Sequence, residues 1–331
     1  MFSTLSKLLV LTVSMLMMNT SLAATPVATV EVPLNGQSNE QITPLLTTGL
    51  TKVMARLTGN PQIAEQAAVL PLLKDPNAFI EHYKQQATPS KLSIAFDQAA
   101  ITAALNKAGI ATWTAQKPVI LLWWITNQQT NTTLLDEAQA NTKIIQQAAI
   151  EEGLPLRIPL ADLTEQALTD KAIFTAVKPD AIFQASAKYN ANVILAVAAN
   201  HTADNWQLNW RLWQANSSQL IAQGQTAASS LTEAAANLLA AINPPLAKIY
   251  VVSAGEAKKL TITLKQVNFS SYVQISKLMA SFKGRLLETN GSTVRYELTA
   301  DPLQLQTQLE LINYYPEQTK NQSLDLVFVP H

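Results

Sequence analysis

Residues 119–125 (VILLWWI), opened by Pro118, form an apolar run with no polar position at which to alternate. With no side for water, the run predicts a strand covered on both faces, as at the centre of an α/β sheet. Before it the period changes. Ala28, Val30, Val32 and Leu34 alternate with polar or proline positions and predict a strand with one buried face. Ser38 and Gln41 have capping-box spacing. Ile42, Leu45, Leu46, Leu50, Val53, Met54 and Leu57 then recur at helical spacing until Gly59 and Pro61 stop the helix. Residues 62–86 predict helix in two pieces, broken at Pro71 and Pro76. Leu92, Ile94 and Phe96 predict a second strand, and Asp97 caps a helix ending at Gly109. These elements make a small α/β domain over residues 25–112.

After the central run, residues 132–152 have the length and apolar spacing of a crossover helix closed by Gly153. A proline-bracketed extended piece (154–160), two helical segments (162–175 and 179–189) and a second apolar strand (193–199) follow, predicting a mostly parallel layered sheet. Trp206, Leu208, Trp210 and Leu212 alternate with Gln207, Asn209 and Arg211. The tryptophans also fit a helix, but the turn Asn216-Ser217-Ser218 and the extended residues 219–225 favour a hairpin at the sheet edge. Residues 230–252 predict a closing helix interrupted at Pro244-Pro245, which completes a middle α/β domain over 113–252.

Ser253-Ala254-Gly255-Glu256 is small, polar and aperiodic, as a linker is. Beyond it come an alternating strand (Leu260, Ile262, Leu264), a helical stripe (Tyr272, Ile275, Met279, Phe282) and the hairpin pair Asn290-Gly291 with its flanking strands. A helix capped by Asp301-Pro302 and a last strand over 324–329 finish the chain. The order β-α-β-β-α-β predicts a ferredoxin-like C-terminal domain over 253–331. The expected fold class is thus multi-domain α/β and α+β.

Composition adds an address. Of 331 residues, 48% are apolar and 14% charged, enough to bury sizeable cores. Residues 1–24 carry Lys7, an apolar stretch over 8–18 and Ser21-Leu22-Ala23, which together predict a cleaved secretory signal peptide and a soluble periplasmic product. No later segment is expected to span a membrane. The chain has no cysteine, so disulfides, thiolate chemistry and lipidation at an N-terminal cysteine are excluded. Losing Lys7 moves the balance from 23 basic against 23 acidic residues to a formal −1, which gives no pull on nucleic acid or anionic lipid.

Candidate chemistry is sparse. The 9 glycines form no phosphate loop or nucleophile elbow, and His82, His201 and His331 lack metal-ligand spacing. Asp136-Glu137 and Glu151-Glu152 read as a solvated helix face. No catalytic residue, cofactor or metal is expected. Trp123 and Trp124 point to opposite faces of their strand and fill core. Trp213, sharing a face with Gln207, Asn209 and Arg211, is expected to be exposed, and Trp213 with Arg211 is the candidate contact for a partner.

Five stretches in order, 50–60 (LTKVMARLTGN), 108–124 (AGIATWTAQKPVILLWW), 153–163 (GLPLRIPLADL), 185–196 (ASAKYNANVILA) and 206–210 (WQLNW), resemble the exported proteins of domain-of-unknown-function family DUF2066. Lys117 departs from the arginine expected there. The middle segment is also similar to the TolB N-terminal domain, and the first two domains to the flagellar T-ring protein. What the resemblance implies is a non-enzymatic envelope scaffold or assembly factor with other envelope proteins as partners. A binding protein for a small molecule or envelope polymer, and an unrecognised enzyme, are the alternatives.

Overall fold

The computed structural model describes residues 28–34, 42–86, 90–113, 116–128, 131–202, 205–251, 257–317 and 325–330. The expected signal peptide, the Ser38/Gln41 cap, the linker at 253–256 and His331 lie outside them. The described residues build a mixed α/β structure on three sheets.

In the first, β1 (Thr29–Pro33), β2 (Ile80–Gln86) and β3 (Lys91–Phe96) are antiparallel in the order β1-β3-β2. Helix α1 (Ile42–Thr58) buries Leu46, Leu50, Val53 and Met54 against Val30, Val32, Leu92 and Ile94. A Cβ on Gly49 would lie 2.9 Å from Ile94 Cδ1, so glycine lets the helix approach this closely. After the short α2 (Leu70–Leu73), β2 replaces the helix expected through residue 86. Its middle residues are all exposed, so it carries no alternation and exists through its pairing with β3. Asp97 accepts a bond from Ala100 N at the start of α3 (Gln98–Lys107), as expected.

The central sheet contains β4 (Ile120–Gln128), β5 (Asn131–Leu134), β6 (Leu156–Arg157), β7 (Val193–Thr202), β8 (Asn205–Gln214) and β9 (Leu220–Ala228), ordered β5-β4-β7-β8-β9 with β6 beside the start of β4. Only β4·β7 and β4·β6 are parallel; the remaining pairs are antiparallel, which corrects the expected mostly parallel sheet. Residues 131–134 pair with β4 instead of starting a helix. Helix α4 (Ala140–Glu152) begins only after Asp136 has turned the chain by accepting from Ala138 N and Gln139 N. The Asp136-Glu137 pair therefore precedes the helix. Short helices α5 (Leu163–Gln166), α6 (Lys171–Thr175) and α7 (Asp180–Ser186) cover one face, where Phe174 and Ile182 meet Leu121, Trp123 and Ile194. α4 and α8 (Leu231–Tyr250) cover the other, against Leu122, Trp124 and Leu195. The adjacent tryptophans split between the two layers as expected. Helix α8 runs through Pro244 and Pro245 without the predicted interruption, held by buried Leu238, Leu239, Ile242 and Leu246.

The last sheet joins β10 (Lys258–Leu264), β11 (Arg285–Asn290), β12 (Thr293–Ala300), β13 (Tyr314–Pro316) and β14 (Asp325–Pro330) in the order β11-β12-β10-β14-β13. β10 and β14 are parallel and the other pairs antiparallel. Helices α9 (Phe269–Ser281) and α10 (Pro302–Glu310) add Ile275, Leu278, Met279, Leu305 and Leu309 to its core. Gly291 turns the β11–β12 hairpin at φ +57°. β13 has three residues, too few for any periodicity to mark it.

Candidate functional site: a polar crevice between two sheets

The chain segments entering the parallel strands meet the C-terminal helices across a seam. Asn192, just before β7, accepts from Val119 N at 2.7 Å and donates to Leu311 O at 3.0 Å. The buried Gln308 of α10 accepts from Gln116 N at 3.0 Å. Above these bonds opens a crevice of about 740 Å³, within the usual range for ligand sites. Buried Leu278, Leu311, Ile312 and Tyr314 supply its apolar lining. One wall holds Val119, Arg157, Asn190 and Asn192; the other is a flank of α9.

That flank is built by spacing. Ser270, Gln274, Lys277 and Ser281 stand at i, i+4, i+7 and i+11, one stripe of a helix whose Ile275, Leu278 and Met279 face the core. Altogether seven amide side chains and three serines line the crevice. Arg157 and Lys277 are its only charged groups among the described residues. Arg157 also donates to Tyr189 O, which fixes the guanidinium near the wall. Three of the six non-glycine residues with left-handed backbone among the described residues are here, Asn190 (φ +47°), Gln266 (φ +56°) and Asn313 (φ +62°). Such conformations cost about 1–3 kcal/mol each, less for asparagine, and concentrate at working sites. The arrangement offers many neutral donors and acceptors, two cations and no acid/base pair, which equips it to hold a ligand.

The crevice is at the amino ends of β4 and β7, opposite the end where ligands of parallel α/β sheets usually bind. At the carboxyl end the side chains close on one another: Asn127 donates to Asn200, Thr132 donates to Asn127, and His201 stacks on Trp206 with centroids 4.2 Å apart.

The expected partner contact changes. Trp213 is fully buried, its indole donating to Val177 O at 3.1 Å and meeting Phe183 edge to face at 5.7 Å. The reason is that α6 and α7 cover this face, whereas the hairpin pattern suggested an open one. Arg211 stays half-buried, donating to Gln223 Oε1 at 2.9 Å and Ala176 O at 3.3 Å beside a shallow trough of about 300 Å³. The two residues thus stay neighbours on one face of β8, tied to the consecutive carbonyls of Ala176 and Val177, and only Arg211 keeps some exposure. The crevice residues were missed, although the stripe 270/274/277/281 was readable.

Lys117 lies at the junction of the first and central sheets. Its ammonium donates to Arg56 O at 3.0 Å and sits 5.1 Å from the centroid of the Trp113 ring, while Arg56 donates to Thr29 O. Burial lowers the Lys117 pKa to about 8, a shift that Glu152 opposes and Arg56 deepens. The Glu152 carboxyl is raised mainly by burial, against the pull of Arg56, Asn243 and Lys117. Below about 8 Lys117 is protonated in both folded and unfolded chains, and the cost of burying its charge is fully present. Between about 8 and the ordinary 10.5 only the unfolded chain holds that proton, so stability contributed by this group rises with pH. Between about pH 7.5 and about pH 10 the wild type should gain on the order of 1–2 kcal/mol relative to Lys117→Met, after allowance for partial exposure. Chemical denaturation at both pH values measures it. Parallel profiles for the two proteins would show that the ammonium is not desolvated.

Among the described residues no helix is long and apolar enough to cross a membrane, and no cluster of His, Cys, Asp or Glu is placed to hold a metal ion. Similar solved structures include the PelC dodecamer from Paraburkholderia phytofirmans (16% identity, covering 40% of this chain and 91% of that one, TM-score 0.24). The LpoB C-terminal domain from Salmonella enterica (17%, covering 35% and 87%, TM-score 0.25) and TolB from Acinetobacter baumannii (15%, covering 45% and 33%, TM-score 0.28) are others. At these TM-scores the likenesses carry no argument. No curated protein matches the chain. Residues 23–114 match the family described as domain of unknown function DUF8605, and this replaces the DUF2066 resemblance, which rested on five short stretches each too brief to discriminate between families.

Proposed function

We propose that the protein is a non-enzymatic binding protein of the periplasm that holds a polar, hydroxyl-rich segment of an envelope polymer in the crevice between its central and C-terminal sheets. One observation carries this: the lining combines seven amides, three serines and two cations with no carboxylate or histidine among the described residues. Polyhydroxylated ligands are matched by many neutral donors and acceptors over an apolar floor. The separate sheets support domains at 25–112, 113–252 and 253–331. The order β11-β12-β10 under helices α9 and α10 supports a ferredoxin-like module, from which the parallel β10–β14 pair and the extra strand β13 depart, and the layered central sheet supports a TolB-like one.

A protein scaffold is the second reading, favoured by Phe269 and Val273, which are 85% and 53% exposed one turn apart on the flank of α9 away from the crevice. Co-sedimentation with purified cell-wall sacculi separates the two. The binding reading expects retention that falls about tenfold in Lys277→Glu and is unchanged in Phe269→Ser. No retention of the wild type, together with in-cell crosslinking to an envelope protein that Phe269→Ser abolishes, would establish the scaffold instead. Cell fractionation tests the address: the chain should appear in the periplasmic fraction without Met1, and intact protein confined to the cytoplasm would remove that part.

A further inference from the structure

The crevice does not end at its own walls. Asn313, in its left-handed conformation, borders it together with two smaller hollows of about 80 and 200 Å³. The larger of these shares Asn190 with the crevice and continues past Tyr315 and Asn216 to Ser186, Ala187 and Ile194. Asn216 donates to the Tyr315 hydroxyl at 3.0 Å, holding the phenol ring at the edge of the path. The two arms differ in charge. Glu310 borders the 80 Å³ hollow, whereas the crevice and the 200 Å³ hollow have no carboxylate among their described lining residues. Arg157 and Lys277 stand at the crevice end.

We propose that the groove from Lys277 past Asn313 to Ala187 binds a linear, anionic polysaccharide bearing carboxylate and acetamido groups, threaded along the seam with one of its carboxylates at the Arg157–Lys277 end. This rests on the binding function proposed above and narrows it. A small solute would need the crevice alone, whereas a chain gains from each further hollow it fills. Amides match acetamido groups in both donor and acceptor, hydroxyls match sugar hydroxyls, and the Tyr315 ring offers a face for a sugar's apolar side. The absence of carboxylates along this one path, with Glu310 placed beside the other, gives the path its sign.

Hyaluronan oligosaccharides alternate carboxylate and acetamido sugars, and chitin oligosaccharides carry acetamido groups alone; both serve as probes in titration calorimetry with the full mature chain. The expected result is tighter binding of the hyaluronan decasaccharide than of the tetrasaccharide, and weaker binding of chitin oligosaccharides of equal length. Lys277→Glu should weaken both hyaluronan lengths. Ala187→Glu, at an exposed position in the far hollow, should weaken the decasaccharide about tenfold and leave the tetrasaccharide unchanged. Asn216→Ala, exposed on a turn, checks the same arm without introducing charge. Equal affinities for the two lengths, or a silent Ala187→Glu, overturn the threaded chain while leaving the crevice as a site. Chitin binding as tightly as hyaluronan overturns the anionic class. No binding of any oligosaccharide overturns the crevice function itself.

Discussion

Alanine at Gly59 should destabilise the protein by about 3 kcal/mol, and alanine at Gly109 by only about 1 kcal/mol. Both glycines terminate helices with left-handed backbone, φ +69° and +76°, so both substitutions incur the strain of an L side chain there. They differ in what the new methyl meets. A Cβ on Gly109 has nothing within 4 Å. On Gly59 it would be 2.4 Å from Ala247 Cβ of α8 and 3.2 Å from both Asn243 Oδ1 and Trp113 Nε1. Ala247 has no far end to swing away, so either α1 or α8 must move. Because this contact joins the first sheet to the central one, the loss should show in urea unfolding of the first sheet. It should also show in the environment of Trp113, whose backbone N–H donates to Leu57 O. Equal losses at the two positions would mean that the junction yields freely, and that the first sheet is not seated on α8 as described.

What the sequence makes legible follows from where burial is one-sided. α1 and β3 each place apolar residues at a single period because one face meets a core, and their extents were readable. β4 was readable for the opposite reason, having no polar face at all. β2 was not. Glu81 to Gln85 are exposed, so no face is distinguished and only the bonds to β3 make a strand of them. β5 was lost because Leu134 and Leu135 suit a helical stripe as well as a hairpin, and the turn at Asp136 is fixed by hydrogen bonds that composition does not reveal. Trp213 was misplaced by the same ambiguity: alternation separates the two faces of β8 but does not say that helices cover both. The crevice is harder still. Gln116, Asn190, Asn192 and Asn313 are scattered over nearly 200 positions of sequence. Only tertiary contact gathers them, and their polarity reads as ordinary surface until it does. The α9 stripe was the one local sign, because a helix needs no regular row of serine and amide on a flank that merely faces water.

Glu165→Ala should cost about 3 kcal/mol, although Glu165 belongs to the one-turn helix α5. Its side chain is 1% exposed. The carboxylate accepts from the Tyr189 hydroxyl at 2.6 Å and from Asp162 N at 3.2 Å, and pairs with Lys188 Nζ at 2.8 Å. Asp162 accepts from Glu165 N in return, a reciprocal cap at the start of α5, and also pairs with Lys188 at 2.7 Å. The Tyr189 hydroxyl completes the circuit by accepting from Leu160 N at 2.8 Å. The bond to Asp162 and then that to Glu165 raise the Lys188 pKa, while burial and then Glu165 raise that of Tyr189. Both oxygens of the Glu165 side chain are engaged, so it holds its donors in place. Truncation leaves a buried hydroxyl and a backbone N–H without their acceptor, which is where most of the loss arises. Glu165→Gln keeps one acceptor oxygen for Tyr189 but turns an amide NH2 toward the Asp162 N–H and gives up the charge facing a half-exposed lysine, so about 2 kcal/mol is expected. Hydrogen exchange at Leu160 and Asp162 should speed up in the alanine variant before global unfolding changes elsewhere. Unchanged exchange and unchanged stability in Glu165→Ala would mean that the segment around α5 is held by the packing of Ala161 and Phe174 alone. In that case the wall of the crevice formed by Arg157 and Asn190 would owe nothing to the Tyr189 anchor between them.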